Sequence, residues 1–192
     1  MNPLHIGFAL CGSFCTFDAA LPVMRELAET CEITPILSPA AAETDTRFGL
    51  ASRFLAEVRE ICGREPILRL EEAEPIGPKG LLDILAVVPC TGNTLAKLAA
   101  GVADTAVTFA CKAHLRNARP VVLGVSTNDG LAAGAANLGL LLNRKHYYFV
   151  PFRQDDPRGK PTSLVADFTL LPEAIRAALE GRQLQPLLLP PG

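Results

Sequence analysis

Short apolar runs alternate along the chain with longer amphipathic stretches in which apolar residues recur every three or four positions. The apolar runs have the length of β-strands, and the spacing in the amphipathic stretches is that of helices. Buried strands are predicted at residues 4–10, 32–38, 82–88, 120–126 and 146–152, with a short additional strand at 66–70. Helices are predicted at 17–30, 46–62, 93–100, 131–142 and 172–180, and residues 107–113 fit either a helix or a strand.

This alternation indicates strands joined by helical crossovers. Such a pattern is typical of an α/β fold with a single doubly wound, mainly parallel sheet and helices on both faces, which is a Rossmann-like architecture. The 192 residues contain no internal repeat and no linker-like segment. We therefore predict one domain over residues 1–192, in which residues 181–192 form a Pro/Leu-rich C-terminal tail.

Charge and cysteine spacing exclude several classes of function. The net charge is −2 without a basic stripe, so nucleic acid and anionic membrane surfaces are not expected partners. No apolar stretch reaches the roughly 18–20 residues of a membrane span. The six cysteines form neither a CxxC motif nor a Cys/His pair with zinc spacing, so no metal site is predicted. Without a secretory signal, we expect a cytoplasmic protein with free thiols, of which Cys11, Cys15, Cys90 and Cys111 are buried or partly buried.

The apolar content indicates self-association. Hydrophobic residues make up 49% of the chain, and the predicted helix at 131–142 is apolar nearly all round. A helix of that kind needs cover on more than one side. We therefore expect a homo-oligomer.

Small polar residues follow three of the predicted strands. They are Cys11-Gly12-Ser13, Pro89–Thr94 and Ser126–Gly130, and none forms a GxGxxG motif. The carboxyl ends of parallel strands share one edge of the sheet, where such folds bind ligands. One polar run of this kind is usually a turn, but three together favour a ligand site. Free amides at a helix start can hold a phosphate without a lysine.

Thr91, Asn93 and Thr94 lie between a predicted strand and a helix start. As a purely structural feature they would be helix caps. One cap is enough for one helix, however, and three polar residues exceed that need. Asn93 carries both a donor and an acceptor, so it can bind a carboxylate or the edge of a flavin ring. We favour ligand binding for all three residues.

These motifs resemble the flavoprotein superfamily, which includes flavin-dependent cysteine decarboxylases and flavin prenyltransferases. The resemblance rests on Gly12-Ser13, on PCTGNTLAKLAAGVAD at 89–104 and on PVVLGVSTND at 120–129. It implies bound FMN and a homo-oligomer, often a trimer or a trimer of higher order.

By the same resemblance, four further positions acquire roles. Gly12 and Ser13 lie where the family holds the flavin phosphate and the ring edge, although an ordinary turn remains the alternative. Ser38 matches a family Ser/Thr that can contact the phosphate, but Pro39 after it also fits a plain strand end. Asn128 matches the family asparagine, whereas the neighbouring methionine of the decarboxylases is absent here.

A narrower resemblance covers almost the whole chain and is to the family of dipicolinate synthase B subunits. It is carried by DTRFG, AEPIGPK, RNARPVVLGVSTND, VPFRQDDPRGKP and LLPEAI, at 45–49, 73–79, 116–129, 150–161 and 170–175. That family works with the A subunit of dipicolinate synthase to oxidise dihydrodipicolinate to dipicolinate during endospore formation, in the mother cell. NADP(H) is then expected on the A subunit. The retention of flavin, the subunit that transfers the hydride and the catalytic residues stay open.

The chain also departs from the decarboxylases. They use an active-site histidine after the second strand, and residues 43–62 contain none. Arg47 lies near that place and could bind a small dicarboxylate substrate, together with Asn93. A solvent-facing arginine is the alternative interpretation of Arg47. The charged loop at 155–160 is either solvated, a lid, or a contact for the A subunit. The remaining functional alternatives are a stand-alone decarboxylase or prenyltransferase and a non-catalytic flavin-fold scaffold for the A subunit.

Overall fold

Seven strands form one mixed sheet in the computed structural model, which describes residues 3–191. The strands are β1 (His5–Leu10), β2 (Glu32–Leu37), β3 (Ile84–Cys90), β4 (Val121–Thr127), β5 (Tyr147–Phe149), β6 (Phe152–Asp156) and β7 (Lys160–Ala166). The first five pair in parallel in the order β2-β1-β3-β4-β5. The predicted doubly wound α/β fold is confirmed, because this is one of the two common orders of such sheets.

The segment after β5 differs from the prediction. Instead of a strand over 146–152 followed by a loop, the structure has β5, a break at residues 150–151, and a hairpin of β6 and β7. This hairpin is antiparallel and joins β4 through Ser126 and Thr127, whereas β5 pairs with β4 at Val121–Leu123. The two halves of β4 therefore have different neighbours, and the hairpin extends the sheet only at its carboxyl edge.

Eight helices cover the sheet within the described residues. They are α1 (Phe17–Ala28), α2 (Pro39–Glu43), α3 (Ala51–Cys62), α4 (Leu70–Ala73), α5 (Gly92–Ala100), α6 (Ala106–Leu115), α7 (Ala135–Leu142) and α8 (Leu171–Leu179). Helix α1 packs against α3 and α8, and α5 packs against α6 and α7, which gives the two helical layers. Residues 107–113 are thus helical.

Two helices begin later than predicted, and both for a local reason. Helix α3 starts at Ala51, because the Asp45 side chain accepts a 2.8 Å hydrogen bond from the Ala51 amide and residues 46–49 form a turn. Helix α7 starts at Ala135, because the Asp129 carbonyl accepts bonds from the amides of Ala132 and Gly134. Hydrophobic spacing alone does not distinguish either turn from a helix.

The short strand predicted at 66–70 is wrong. Only Ile67 makes a single parallel bridge, to Ile36 beside β2, and Leu70 already begins α4. Near the C-terminus, the tail pairs with β6, since Phe152 donates to the Leu187 carbonyl and accepts from the Leu189 amide. Within residues 3–191, no helix is both long and apolar enough to cross a membrane.

Candidate functional site

The chain order of the strands reverses between β1 and β3, which are neighbours in the sheet. A crevice forms outside the carboxyl ends of the strands at such a point. Gly12 and Ser13 follow β1, and Thr91 follows β3, so both polar runs flank this crevice. The third run begins at the end of β4 and lines the same crevice, so the fold brings all three predicted polar runs to one place.

Two adjoining cavities occupy this edge, with volumes of about 570 and 360 Å³. Gly12 and Thr91 line both of them. The larger cavity is also lined by Ser13 and Asn128, and the smaller one by Ser38, Asn93 and Thr94. All seven residues assigned to a flavin site from the sequence thus lie around one pair of adjoining cavities.

Within this group, Thr91 and Thr94 are bonded to the protein itself. Thr91 is the N-cap of α5: its hydroxyl accepts from the Thr94 amide at 3.3 Å and donates to the Thr94 hydroxyl at 3.2 Å. Thr94 is buried and donates in turn to the Cys11 sulfur at 3.2 Å. Thr94 therefore ties α5 to β1, whereas the Asn93 side chain is exposed at the helix start.

Gly92 is required by close packing at the start of α5. A Cβ atom there would lie 2.6 Å from the Thr127 hydroxyl and 2.7 Å from a carboxylate oxygen of Asp129. Those two groups are joined by a 2.5 Å hydrogen bond that Thr127 donates. Gly92 thus lets the first turn of α5 rest on the loop after β4, and it keeps two polar strand ends together.

Ser13 and Ser38 are held by neighbouring groups. The Ser13 hydroxyl lies 2.8 Å from that of Ser126, at the end of β4. Ser38 caps α2, since its hydroxyl accepts from the Ala41 amide at 3.3 Å. Gly12 lies against the same helix, because a Cβ on Gly12 would come within 3.0 Å of the Ala40 Cβ.

Two lysines also line the cavities, and both are paired with carboxylates. Lys97 in the smaller cavity binds both carboxylate oxygens of Asp104, at 2.9 and 2.8 Å. Its hydrogen bond lowers the pKa of Asp104. Lys160 in the larger cavity binds Asp155 at 2.7 Å, and that bond raises the pKa of Lys160. The sequence predicts that backbone amides and hydroxyls hold a phosphate without a lysine. The cavities are lined by those groups and also by two lysines.

The predicted substrate residue Arg47 has its guanidinium over the Phe48 ring, 4.9 Å from the ring centre. Arg47 is exposed, and Phe48 is the residue that lines the larger cavity. Arg47 lies in the turn before α3 and not in a helix, which corrects the prediction from the hydrophobic spacing.

Acid–base groups are sparse at these cavities. Burial raises the pKa of Cys11, which lies beneath Thr94, to about 11, so this thiol stays protonated near neutral pH. The larger cavity is also lined by Cys15. The prediction that this thiol is buried or partly buried is wrong, because Cys15 is exposed. Within residues 3–191, no histidine lines either cavity and no cluster of three metal-binding side chains is present.

Sequence reasoning missed the hairpin side of the larger cavity. Asp155, Lys160 and Ser163 line it from β6 and β7. A signal was present: DPRG is a turn sequence, and the residues after it include the apolar run Leu164–Ala166.

The class of protein follows from this combination of fold and strand-end site. The family described as Flavoprotein matches residues 1–131, and the chain belongs to it. Within that class, the chain is similar to the B subunit of dipicolinate synthase from Bacillus subtilis (strain 168). The two are 45% identical over 186 residues, which is 96% of this chain and 93% of the relative.

Solved structures agree with this placement. The dipicolinate synthase B subunit from Bacillus halodurans superposes with a TM-score of 0.91 at 42% identity, covering 100% of both chains. DmrB from Burkholderia xenovorans, solved in complex with FMN and described as a cubic protein cage for redox transfer, has a TM-score of 0.69 at 19% identity. That likeness covers 93% of this chain and 96% of that chain, and it shows the shared fold.

Proposed function

We propose that this chain acts as the B subunit of a dipicolinate synthase. With the A subunit it oxidises dihydrodipicolinate to dipicolinate during endospore formation, in the cytoplasm of the mother cell. The observation that carries the proposal is the likeness to two such B subunits at 45% and 42% identity, over nearly the whole chain. The decarboxylase alternative is disfavoured because no histidine among the described residues lines the cavities.

FMN is the proposed cofactor, and the donor set at the two cavities fits it. The first amides of α5, those of Gly92 and Asn93, have no acceptor inside the helix and point toward the N-terminal end. Ser38 and Asn93 line the same small cavity, and the Ser38 hydroxyl, which accepts from the Ala41 amide, still has a proton to donate to a phosphate. The larger cavity has Phe14 and Phe48 in its lining and suits a ring. A bound flavin would supply a carrier for two electrons.

The dicarboxylate substrate is proposed to enter the larger cavity. Asn93 lines the adjoining smaller cavity, and Arg47 lines neither cavity but lies beside Phe48, which lines the larger one, so both would have to reach the carboxylates from the margin of this cavity. Lys160 adds a cation that lines this cavity directly. It is bound to Asp155 at 2.7 Å, so an incoming carboxylate would compete with an existing partner.

The reaction divides between two different chains in this proposal. Forming the aromatic ring removes a hydride equivalent and a proton from the dihydro compound, and the NADP⁺ that the A subunit carries accepts the hydride. Residues around the cavities of this chain bind and orient the substrate, and we assign no catalytic residue among them. The chain alone is then expected to turn over little substrate.

A homo-oligomer is part of the proposal. Helix α7 leaves Leu140 and Leu142 exposed by 45% and 41%, and Leu131 before it by 49%. Leu140 and Leu142 are two residues apart in the helix and so leave apolar surface on more than one side of it, which a second copy would cover in part. Light scattering on the purified chain tests this: a mass above that of the monomer is expected, and a monomer at micromolar concentration would contradict it.

The decisive assay compares this chain alone, the isolated A subunit, and their mixture, each with dihydrodipicolinate and NADP⁺. Only the mixture is expected to form dipicolinate. In parallel, FMN is titrated into the chain while flavin fluorescence is followed. Asn93→Ala keeps the backbone amide but removes the side-chain amide, so it should weaken FMN binding by about 1–3 kcal/mol if that side chain also binds a polar group of the flavin, which is then left unpaired. Asn143→Ala, an exposed asparagine after α7, is the matched control and should leave binding unchanged.

The outcomes of these experiments test the division of labour, the cofactor and the substrate separately. Full activity of this chain with NADP⁺ and without the A subunit would contradict the division of labour. Restored activity in the mixture without FMN binding would leave the synthase function standing and remove the cofactor. If FMN binds but the mixture forms no dipicolinate, the substrate assignment fails.

A further inference from the structure

A third cavity lies between α5, α6 and α7 and shares no lining residue with the two cavities described above. Its volume is about 490 Å³, and it is lined by the C-terminal ends of α5, α6 and α7 and by His146 and Tyr147 at the start of β5. The end of α6 precedes β4, and residues 144–147 lead into β5, so this part of the cavity lies near the amino ends of those two strands. A volume of this size is in the range of small-molecule sites.

The charge around this cavity is one-sided. Lys112, Arg116, Arg144 and Lys145 line it together with His146, and no aspartate or glutamate of the described residues does. Among residues 3–191, eight of the 18 lysines and arginines form ion pairs, and these four are among the remaining ten. The nearby Asp104 is already bound to Lys97. The chain as a whole carries a net charge of −2, so the overall composition does not account for a cluster of positively charged side chains here.

Helix dipoles account for only part of this cluster. Three helices end here, and each end carries roughly −0.5 charge, about −1.5 in all. Arg144 meets one of these ends directly, donating to the Leu98 carbonyl at 3.1 Å. Four full positive charges exceed that requirement. Lys112 and Arg116 are also four residues apart on one helix face, where like charges repel.

The floor of the cavity is apolar. Leu98 is buried, and Leu115 and Tyr147 are partly buried beneath the charged rim. Burial raises the pKa of Tyr147, so its phenol stays neutral and able to donate a hydrogen bond. Within the part of the chain that the structure describes, the Tyr147 hydroxyl makes no hydrogen bond. Since no fully buried side-chain polar atom there lacks a partner, this hydroxyl is accessible from the cavity or from solvent.

From this arrangement we propose that the cavity between α5, α6 and α7 binds a small organic polyanion with an apolar body. The rim cations neutralise two or more negative charges, and the floor receives an aliphatic or aromatic ring. Carboxylates and phosphates share this chemistry. The inference does not depend on the proposed synthase function, because it concerns a separate cavity with a different set of lining residues.

Isothermal titration of the purified full chain tests the proposal, with pyridine-2,6-dicarboxylate and adenosine diphosphate as probes. Inorganic phosphate serves as a charge-only probe, and a glutamate-rich peptide as a protein-like one. Amide chemical shifts locate the binding. We expect at least one organic probe to bind with shifts at residues 98–103, 112–116 and 144–147, more tightly than phosphate.

The variant Lys112→Gln with Arg116→Gln should weaken that binding at least tenfold while leaving the unliganded fold intact. The matched control is Lys79→Gln with Arg176→Gln, which removes the same charge from two exposed lysine and arginine positions outside ion pairs. This control should stay within twofold of the parent. Binding by the dicarboxylate alone or by the nucleotide alone identifies the anionic group, and either result supports the proposal.

Three results would overturn it. The first is the absence of amide shifts at residues 98–103, 112–116 and 144–147 with either organic probe at millimolar concentration, including the case in which the dicarboxylate binds only at the carboxyl edge of the sheet. The second is an equal loss in both double variants, which would reflect overall charge. The third is binding by the peptide only, which would make the cavity a protein-docking surface.

Discussion

The hydroxyls of Ser13 and Ser126 lie 2.8 Å apart and join the loop after β1 to the end of β4. Strand β3 lies between those two strands in the sheet, so the bond passes over its carboxyl end. This bond fixes the two sides of the larger cavity relative to each other.

We expect this bond to show as coupling in a double-mutant cycle. Ser13→Ala and Ser126→Ala should each reduce the free energy of unfolding, with an interaction of about 0.5–1.5 kcal/mol between them. Urea unfolding of the four proteins measures it. A cycle of Ser13→Ala with Ser52→Ala, an exposed serine on α3, should give no coupling. Equal coupling in both cycles would contradict the role of the bond.

Thr94 is expected to act on stability and not on ligand affinity. Its buried hydroxyl receives a bond from Thr91 and donates to the Cys11 sulfur. Thr94→Val removes that group and leaves partners unpaired, at a cost of about 1–3 kcal/mol in the free energy of unfolding. Thr94→Ser keeps the hydroxyl and should cost less. If Thr94→Val instead weakens FMN binding while unfolding is unchanged, Thr94 is a ligand-binding residue.

Glycine substitutions should separate close packing from helix propensity. Gly92→Ala places a Cβ 2.6 Å from the Thr127 hydroxyl, and overpacking of this kind costs about 1–3 kcal/mol. Gly139→Ala, in α7, meets nothing within 4 Å and should stabilise the helix by up to about 1 kcal/mol. Thermal unfolding of both variants provides the comparison. A stable Gly92→Ala protein with unchanged FMN binding would show that the loop after β4 can move aside.

The sequence predicts the parallel strands well because their apolar runs are fully buried. Residues 84–88 and 121–125 are buried at every position, and a buried run of that length is a strong signal. The site follows from topology, since strand ends in a parallel sheet share one edge. The strands are thus predicted from local composition, and the place of the site is predicted from a general rule for parallel sheets.

The hairpin, and with it Lys160, could not be placed in the same way. Residues Phe152–Asp156 carry polar and charged side chains, and the pairing of β7 with β4 is set by contacts distant in the chain. Likewise, the start of α3 depends on the bond from the Ala51 amide to Asp45, which spacing does not reveal. The spacing therefore predicts a helix at Arg47, although α3 begins four residues later.

Lys160 is expected to contribute to binding of the dicarboxylate. Lys160 lines the larger cavity and can form a charge-assisted hydrogen bond to a carboxylate. Since the Lys160–Asp155 pair is exposed, solvent weakens this contribution, and we expect an increase in KM of about fivefold for Lys160→Gln in the mixture with the A subunit. Arg158→Gln, on the same hairpin, removes the same charge and should leave KM within twofold. Equal effects would indicate a general electrostatic contribution of the hairpin.

His114 makes the stability of the protein depend on pH. It is buried, and its Nε2 donates to the Pro120 carbonyl at 3.1 Å. Burial is the main cause that lowers the pKa of His114 from 6.5 to about 4. Below pH 6.5 the unfolded chain binds a proton that the folded protein does not, so the stabilising contribution is fully present above pH 6.5 and declines toward pH 4.

Between pH 7 and pH 5 this group alone should reduce the free energy of unfolding by about 2 kcal/mol. Urea unfolding at both pH values measures the change. His114→Gln keeps an amide that can donate to Pro120 but does not titrate, so the variant should be less stable at pH 7 and lose less on acidification. Parallel pH profiles of the parent and the variant would mean that His114 binds a proton as readily in the folded protein as in the unfolded chain, with carboxylates responsible for any remaining dependence.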